Sequence, residues 1–230
     1  MHPHAETLWR GPRWTLAILL AVLGMLGPFS IDTYLPAFSG IASSLNASPV
    51  HMQQTLSAYL FGFAFMNLFH GALADSFGRR PVILWGLMAF TLASLGCALA
   101  QNVTQLIVFR AMQGLSCGAG VVVSRAIVRD IFPPTQAQKV MSQITIFFGL
   151  APAIAPIMGG WLFVSLGWHS IFWLLTAIGL ALWAVNFKML PESLHASQRQ
   201  PFSIPHLMRG YWQLCTDPRF LLLALASGIP

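Results

Sequence analysis

The chain has 230 residues, of which 56% are hydrophobic and only 8% charged, and a formal net charge of +6. A soluble domain carries roughly 25% charged residues to cover its surface, so a water-soluble fold is excluded and the bilayer becomes the expected solvent. The excess of Lys and Arg does not point to nucleic acid, because no basic stripe is interleaved with aromatic residues.

Six long apolar segments are predicted, each able to supply a crossing of about 20 residues. They run from about Trp14 to Phe38, Val50 to Leu73, Pro81 to Ala100, Thr104 to Val128, Val140 to Leu166 and His169 to Leu190. Arg10 and Arg13 before the first run imitate a signal peptide. No small-x-small site closes that run and further spans follow at once, so the first helix reads as an uncleaved insertion signal. A seventh apolar run begins near Phe220 and is cut off at Pro230, and the chain is read as an incomplete protein.

The connections alternate in charge. Ser39 to Pro49, Gln101 to Val103 and the Gly167-Trp168 turn carry no Lys or Arg. The opposite side holds Arg10, Arg13, Arg79, Arg80, Arg129, Lys139, Lys188, Arg199, Arg209 and Arg219. The positive-inside rule makes that side cytoplasmic and places the amino terminus there. Pro191 to Pro218 reads as a cytoplasmic linker between residues 1–190, one bundle, and residues 219–230, the start of the next helix. Within the linker, Ile204 to Leu214 mixes Ile, Leu, Met and Trp with Arg and Gln, the pattern of a short interfacial helix.

Few residues can carry chemistry. Cys97, Cys117 and Cys215 form no metal or disulfide pattern. There is no GxxxxGK[ST] loop, HExxH or GxSxG motif, so neither ATP hydrolysis nor another enzymatic activity is expected, and no cofactor or metal. Energy must come from a gradient. Asp32 is the acidic residue well inside a span, and a carboxylate there costs at least about 2.5–3.5 kcal/mol unless it is functional or paired. Arg110, on span four, is expected at similar depth. The two are expected to face one cavity and to interact directly or through water, with Asp32 exchanging a proton and Arg110 tuning it. Tyr34, Tyr59 and the Phe61-Phe63-Phe65 run are weaker candidates for touching an apolar substrate. His70 is expected to be an interfacial side chain, and glycines 114, 118, 120, 149, 159 and 160 to serve close helix packing.

The stretch Gly71-Ala72-Leu73-Ala74-Asp75-Ser76-Phe77-Gly78-Arg79-Arg80 lies between spans two and three. Gly78 permits a tight turn and Asp75 is expected to cap a helix start. Arg79 and Arg80 are free to pair with acids on neighbouring helices, Asp130 being available, and such a cluster could latch the cytoplasmic side. This stretch resembles the loop signature of the major facilitator superfamily, G-x-L-a-D-r-x-G-r-k, with Ser76 departing. Arg110-Ala111-Met112-Gln113-Gly114 is similar to the superfamily's R-x-x-q-G motif. Ala151-Pro152-Ala153-Ile154-Ala155-Pro156-Ile157-Met158-Gly159-Gly160 resembles its antiporter motif, with alanines at two glycine positions. Asp32-Thr33-Tyr34-Leu35-Pro36-Ala37, Gln53 to Ser57 and Arg125 to Asp130 resemble the Bcr/CflA branch of drug:proton antiporters.

The resemblance implies an all-α membrane protein: a six-helix amino-terminal bundle of a twelve-helix fold, plus the start of helix seven. It implies proton-coupled export of a small drug-like substrate by alternating access, in a bacterial inner membrane. Implied partners are protons, the lipid bilayer and a carboxy-terminal six-helix half. The implied sites are Asp32 and Arg110 for coupling, and Tyr34 and Gln113 on the substrate cavity. Gly71, Asp75, Gly78, Arg79, Arg80 and Asp130 would form the gate, and Pro152, Pro156, Gly159 and Gly160 the antiporter helix. The alternatives are a metabolite exporter or symporter of the same superfamily, and a non-transporting fragment.

Overall fold

A computed structural model describes residues 12–228. Among the described residues six helices are long and apolar enough to cross a membrane: Trp14–Ser44, Pro49–Phe77, Arg79–Ala98, Val103–Ile131, Pro134–Leu166 and His169–Met189. These are spans one to six, and no strand occurs among the described residues. Each expected span is present, and most are longer than the apolar run alone. The extensions follow from local chemistry. Ser48 accepts from the His51 N–H and Pro49 occupies the first turn of span two. Asn102 accepts from the Gln105 N–H at 2.9 Å and starts span four. Pro134 starts span five six residues before Val140, so Lys139 lies within that helix. Arg10 lies outside the described residues.

Span one is broken. Its first helix, Arg13–Asp32, ends four residues before Pro36, which has no N–H and whose ring would meet the Asp32 carbonyl. A single 3₁₀ turn, Leu35–Ala37, and a short helix, Phe38–Ser44, complete it. Span one therefore continues past the expected end at Phe38. Span five, in contrast, runs as one helix through both Pro152 and Pro156.

Spans two and four pack along much of their length, span three lies against four and six, and span one against four and five. Small residues bring the backbones together. A Cβ at Gly114 would run into the Tyr59 backbone carbonyl, and one at Gly120 into that of Leu23. Gly118 abuts the Asn67 amide and Gly159 the Thr33 carbonyl. Gly149 faces open space instead, and a Cβ at Gly160 would make only ordinary contact with Pro36 at 3.8 Å. Large apolar side chains point outward, as a lipid-facing or bundle-facing surface allows; Val164 is 82% exposed.

The chain divides into two compact units, the second starting at Gln200. That unit holds a helix at Ile204–Thr216 and another at Pro218–Gly228. Asp217 caps the latter by accepting from the Arg219 N–H at 2.9 Å.

Candidate functional site

In the middle of the bundle Arg110 is fully buried. Its guanidinium carbon lies 4.3 Å from the Tyr59 ring centroid and 4.5 Å from that of Tyr34. One terminal nitrogen donates to Gln113 Oε1 at 2.7 Å and to the Ser30 carbonyl at 3.5 Å. Gln113 donates onward to Ser94 at 2.7 Å. The tyrosines are anchored in turn: Tyr34 to Thr55 at 2.6 Å, and Tyr59 to Ser30 at 2.7 Å and the Gly27 carbonyl at 3.0 Å. Cys117 Sγ is 3.0 Å from the Tyr59 hydroxyl. One arginine thus draws together spans one, two, three and four. The other terminal nitrogen and Nε have no hydrogen-bond partner among the described residues; the ring faces take their place. Two desolvated cation–π contacts of about 2 kcal/mol each offset the roughly 2.5–3.5 kcal/mol that an interior arginine costs.

Asp32 stands apart from this cluster. Of the two expected routes to Arg110, direct or through water, the direct one is not formed: no ion pair or side-chain hydrogen bond of Asp32 occurs among the described residues. The reason is azimuth. Ser30 and Tyr34 are four residues apart and share the face that meets Arg110. Asp32 lies two residues from each, about 200° round the helix. Depth does match, since Arg110 touches residues on either side of Asp32, even though span one ends later than expected. Asp32 is half-buried, at the break in span one, beside the Thr33 carbonyl on which Gly159 rests. Ala151, Ala155 and Gly159 form the buried stripe of span five, at four-residue spacing. Of the two prolines, Pro152 is exposed and Pro156 half-buried.

Tyr34 and Gln113, expected on the substrate cavity, are fully buried in this bundle. Holding Arg110 requires them to be packed. Phe61 and Phe65 are exposed and stacked on each other, centroids 6.1 Å apart, whereas Phe63 turns towards Gly27 of span one. His70 is buried rather than interfacial. It lines a groove of about 370 Å³ with Met66, Trp85, Met112 and Leu115.

At the basic end, span two ends at Phe77 and span three begins at Arg79, leaving Gly78 as the whole connection. Its φ of 105° suits glycine. Arg79 is bound by Asp75 at 2.5 Å and by Asp130 at 3.2 Å. A Cβ at Gly71 would make only ordinary contact with Val122 of span four, at 3.8 Å.

Two expectations change here. Asp75 does not cap a helix start, because it lies in the last turn of span two and faces Arg79 four residues on. The Arg80 side chain does not meet an acid; it donates to the Phe187 carbonyl at 2.6 Å, at the end of span six. The helix start is capped by Glu192, which accepts from the Arg79 N–H at 2.9 Å and the Arg80 N–H at 3.3 Å. Glu192 also pairs with Arg199 at 3.8 Å, and Ser193 donates to Asp130 at 2.9 Å. A Cβ on Gly78 would strike Glu192 at 2.5 Å. Sequence reasoning missed Glu192 and Ser193; the signal available was a carboxylate directly after span six, on the side where the arginines gather.

A family model described as Major Facilitator Superfamily matches residues 10–229. The chain is 40% identical over 211 residues to a bicyclomycin resistance protein homolog of Haemophilus influenzae, covering 92% of the chain and 53% of that protein. It is 39% identical over 218 residues to the uncharacterized MFS-type transporter YdgK of Bacillus subtilis, covering 94% and 54%. It is 36% identical over 175 residues to the multidrug resistance protein MdtL of Escherichia coli, covering 76% and 45%. The chain spans about half the length of the curated relatives it matches. Among solved structures, it is similar in fold to the human organic anion transporter MFSD10, with a TM-score of 0.65 at 22% identity, covering 86% of the chain and 53% of that protein. It is also similar in fold to a peptide transporter POT, with a TM-score of 0.70 at 16% identity, covering 96% and 49%.

Proposed function

The chain belongs to the major facilitator superfamily, a family of transporters rather than enzymes, and on that premise we propose that it is the amino-terminal bundle of a proton-coupled exporter of small drug-like compounds. The relatives named for bicyclomycin and multidrug resistance support the substrate class. The observation that carries the mechanism is Asp32, a half-buried carboxylate within a span that no cation or hydrogen-bond donor of the described bundle neutralises. Such a group in a membrane interior exchanges protons or binds a cationic ligand. Proton and drug compete for it: deprotonation towards the cytoplasm opens the site to a cationic or amphipathic drug, and protonation from outside displaces the drug. Arg110 then acts as the fixed element against which span one is held, and it biases the charge of the site through space rather than by contact.

The cavity needs a second six-span bundle, which the exposed faces of spans two and five would meet. The cluster of Asp75, Arg79, Asp130 and Glu192 serves as the cytoplasmic latch, and residues 191–218 link the bundles. The amino terminus faces the cytoplasm and the membrane is the bacterial inner membrane. The test is proton flux in inverted vesicles containing the complete exporter, with a panel of drugs added to a preformed pH gradient. Some drugs should collapse the gradient, and Asp32→Asn should abolish that response. An undiminished response in the Asp32→Asn protein would sink the role of Asp32; no response to any drug by folded wild-type protein would sink drug:proton antiport.

A further inference from the structure

His70 and the groove it lines take no part in the Asp32–Arg110 region or in the latch. The groove, about 370 Å³, lies between spans two and three with span four as its floor, among Met66, His70, Trp85, Ala89, Met112 and Leu115. It looks away from the bundle centre. At about 100° per residue, Met112, Leu115 and Ser116 lie about 160° round span four from Arg110 and Cys117. On span two, Met66, His70 and Leu73 lie about 140° round from Phe61, Phe65 and Leu68, the exposed stripe assigned to a second bundle. The groove therefore opens on lipid rather than on the central cavity, and Trp85 on its wall is 59% exposed.

The lining is apolar with two exceptions. Ser116 is already bonded, to the Met112 and Gln113 carbonyls at 3.0 and 2.9 Å. His70 is only 4% exposed, and its Nδ1 makes no hydrogen bond among the described residues, although the Met66 carbonyl lies one turn back. Beside it, Asn67 Oδ1 is likewise buried without a partner among the described residues. A Cβ at Gly118 would run into that oxygen and lie 3.2 Å from His70 Nδ1, so glycine leaves the space that both polar groups use. Buried polar atoms without partners are rare, because each has lost its water for nothing. An imidazole donates from one ring nitrogen and accepts at the other, and a bound hydroxyl answers it in either sense.

Depth and charge narrow the ligand. His70 lies seven residues before the end of span two at Phe77, about 10 Å along the helix. A phospholipid keeps its polar head at the surface and brings only hydrocarbon to that depth. No Asp, Glu, Lys or Arg lines the groove, so a charged head would be costly there. A neutral compound dissolved in the lipid and carrying its own hydroxyl meets both limits. The volume falls within the range of small-molecule sites, roughly 300–1,000 Å³. We propose that this groove binds neutral hydroxyl compounds of alkylphenol size, with the hydroxyl on the His70 ring and the hydrocarbon along Trp85, Met112 and Leu115. The site is separate from Asp32 and Arg110, and it does not depend on which compound is exported.

The probe is 4-butylphenol with a diazirine in its alkyl chain, photolysed with the complete protein in nanodiscs of phosphatidylethanolamine and phosphatidylglycerol. Insertion would be mapped by peptide mass spectrometry. Saturable insertion is expected in spans two, three and four, around Met66, Trp85 and Met112. Unlabelled 4-butylphenol should displace the probe about fivefold better than 4-butyltoluene at equal membrane concentration, the effect of one net hydrogen bond. His70→Phe keeps a ring and should erase the difference between the two competitors. Ala89→Phe fills the groove and should abolish saturable insertion. Equal displacement by the phenol and the toluene would overturn the proposal in favour of a groove that takes any hydrocarbon, lipid chains included. Insertion spread over the lipid-facing spans without saturation would overturn it in favour of no site. Both of these readings come from the unsubstituted protein, so they stand whether or not the variants fold.

Discussion

Arg110 and Arg79 are both largely buried, yet the bundle holds them by different means. Arg110 lies against two tyrosine rings and one amide, with no carboxylate in contact among the described residues. Arg79 lies between Asp75 and Asp130, whose side chains are 48% and 25% exposed. Dry surroundings explain the first arrangement, since a carboxylate beside Arg110 would add a second desolvation cost to the first. Partial hydration permits the second, where ion pairs can break and reform. An aromatic clamp suits a joint that stays closed, whereas a carboxylate cluster suits a latch that must open. The clamp also leaves Asp32 without a counter-ion among the described residues.

The contrast is broken most strongly at Tyr59. Tyr59→Leu removes one cation–π contact and the Ser30–Tyr59 hydrogen bond, and the expected loss is about 3 kcal/mol of unfolding free energy. Tyr59→Phe keeps the ring and should lose about 1 kcal/mol. Equal losses in the two variants, measured by reversible unfolding in mixed micelles, would show that the hydroxyl and not the ring face holds the site. At the basic end, Glu192→Gln removes the charge that caps span three, with an expected loss of about 1 kcal/mol. Raised salt should weaken the latch in the unsubstituted protein, because these groups are partly exposed. The same salt should leave the Tyr59→Leu deficit unchanged. The smallest effect is expected at Arg199, whose 3.8 Å pair with Glu192 is over a third exposed on the arginine side. Arg199→Gln should cost no more than about 0.5 kcal/mol.

Much of this architecture is legible in the residues. Apolar runs and the one-sided placement of Lys and Arg mark the spans, because the bilayer imposes both patterns. The Arg79–Asp130 pair can be read from charge at two span ends. Whether Asp32 and Arg110 touch directly is not legible, because charge and depth leave azimuth open; the positions of Ser30 and Tyr34 decide it. The clamp itself is hidden for another reason. Tyr34 and Tyr59 look like any aromatics on membrane helices, and only the Gly114–Tyr59 backbone approach brings Tyr59 to the guanidinium. Glu192 is hidden by distance, 113 residues from the Arg79 N–H it caps, in a segment that reads as a polar linker.

The most direct test of Asp32 as the group shared by proton and drug is proton release on drug binding. The purified complete protein in weakly buffered detergent would be mixed with a cationic compound that is active in the vesicle assay, and pH followed with an indicator dye. Release of protons by the wild type, with binding but no release in Asp32→Asn, is the expected result. Equal release by the two proteins would contradict it and place the exchanging proton elsewhere in the bundle or in its partner.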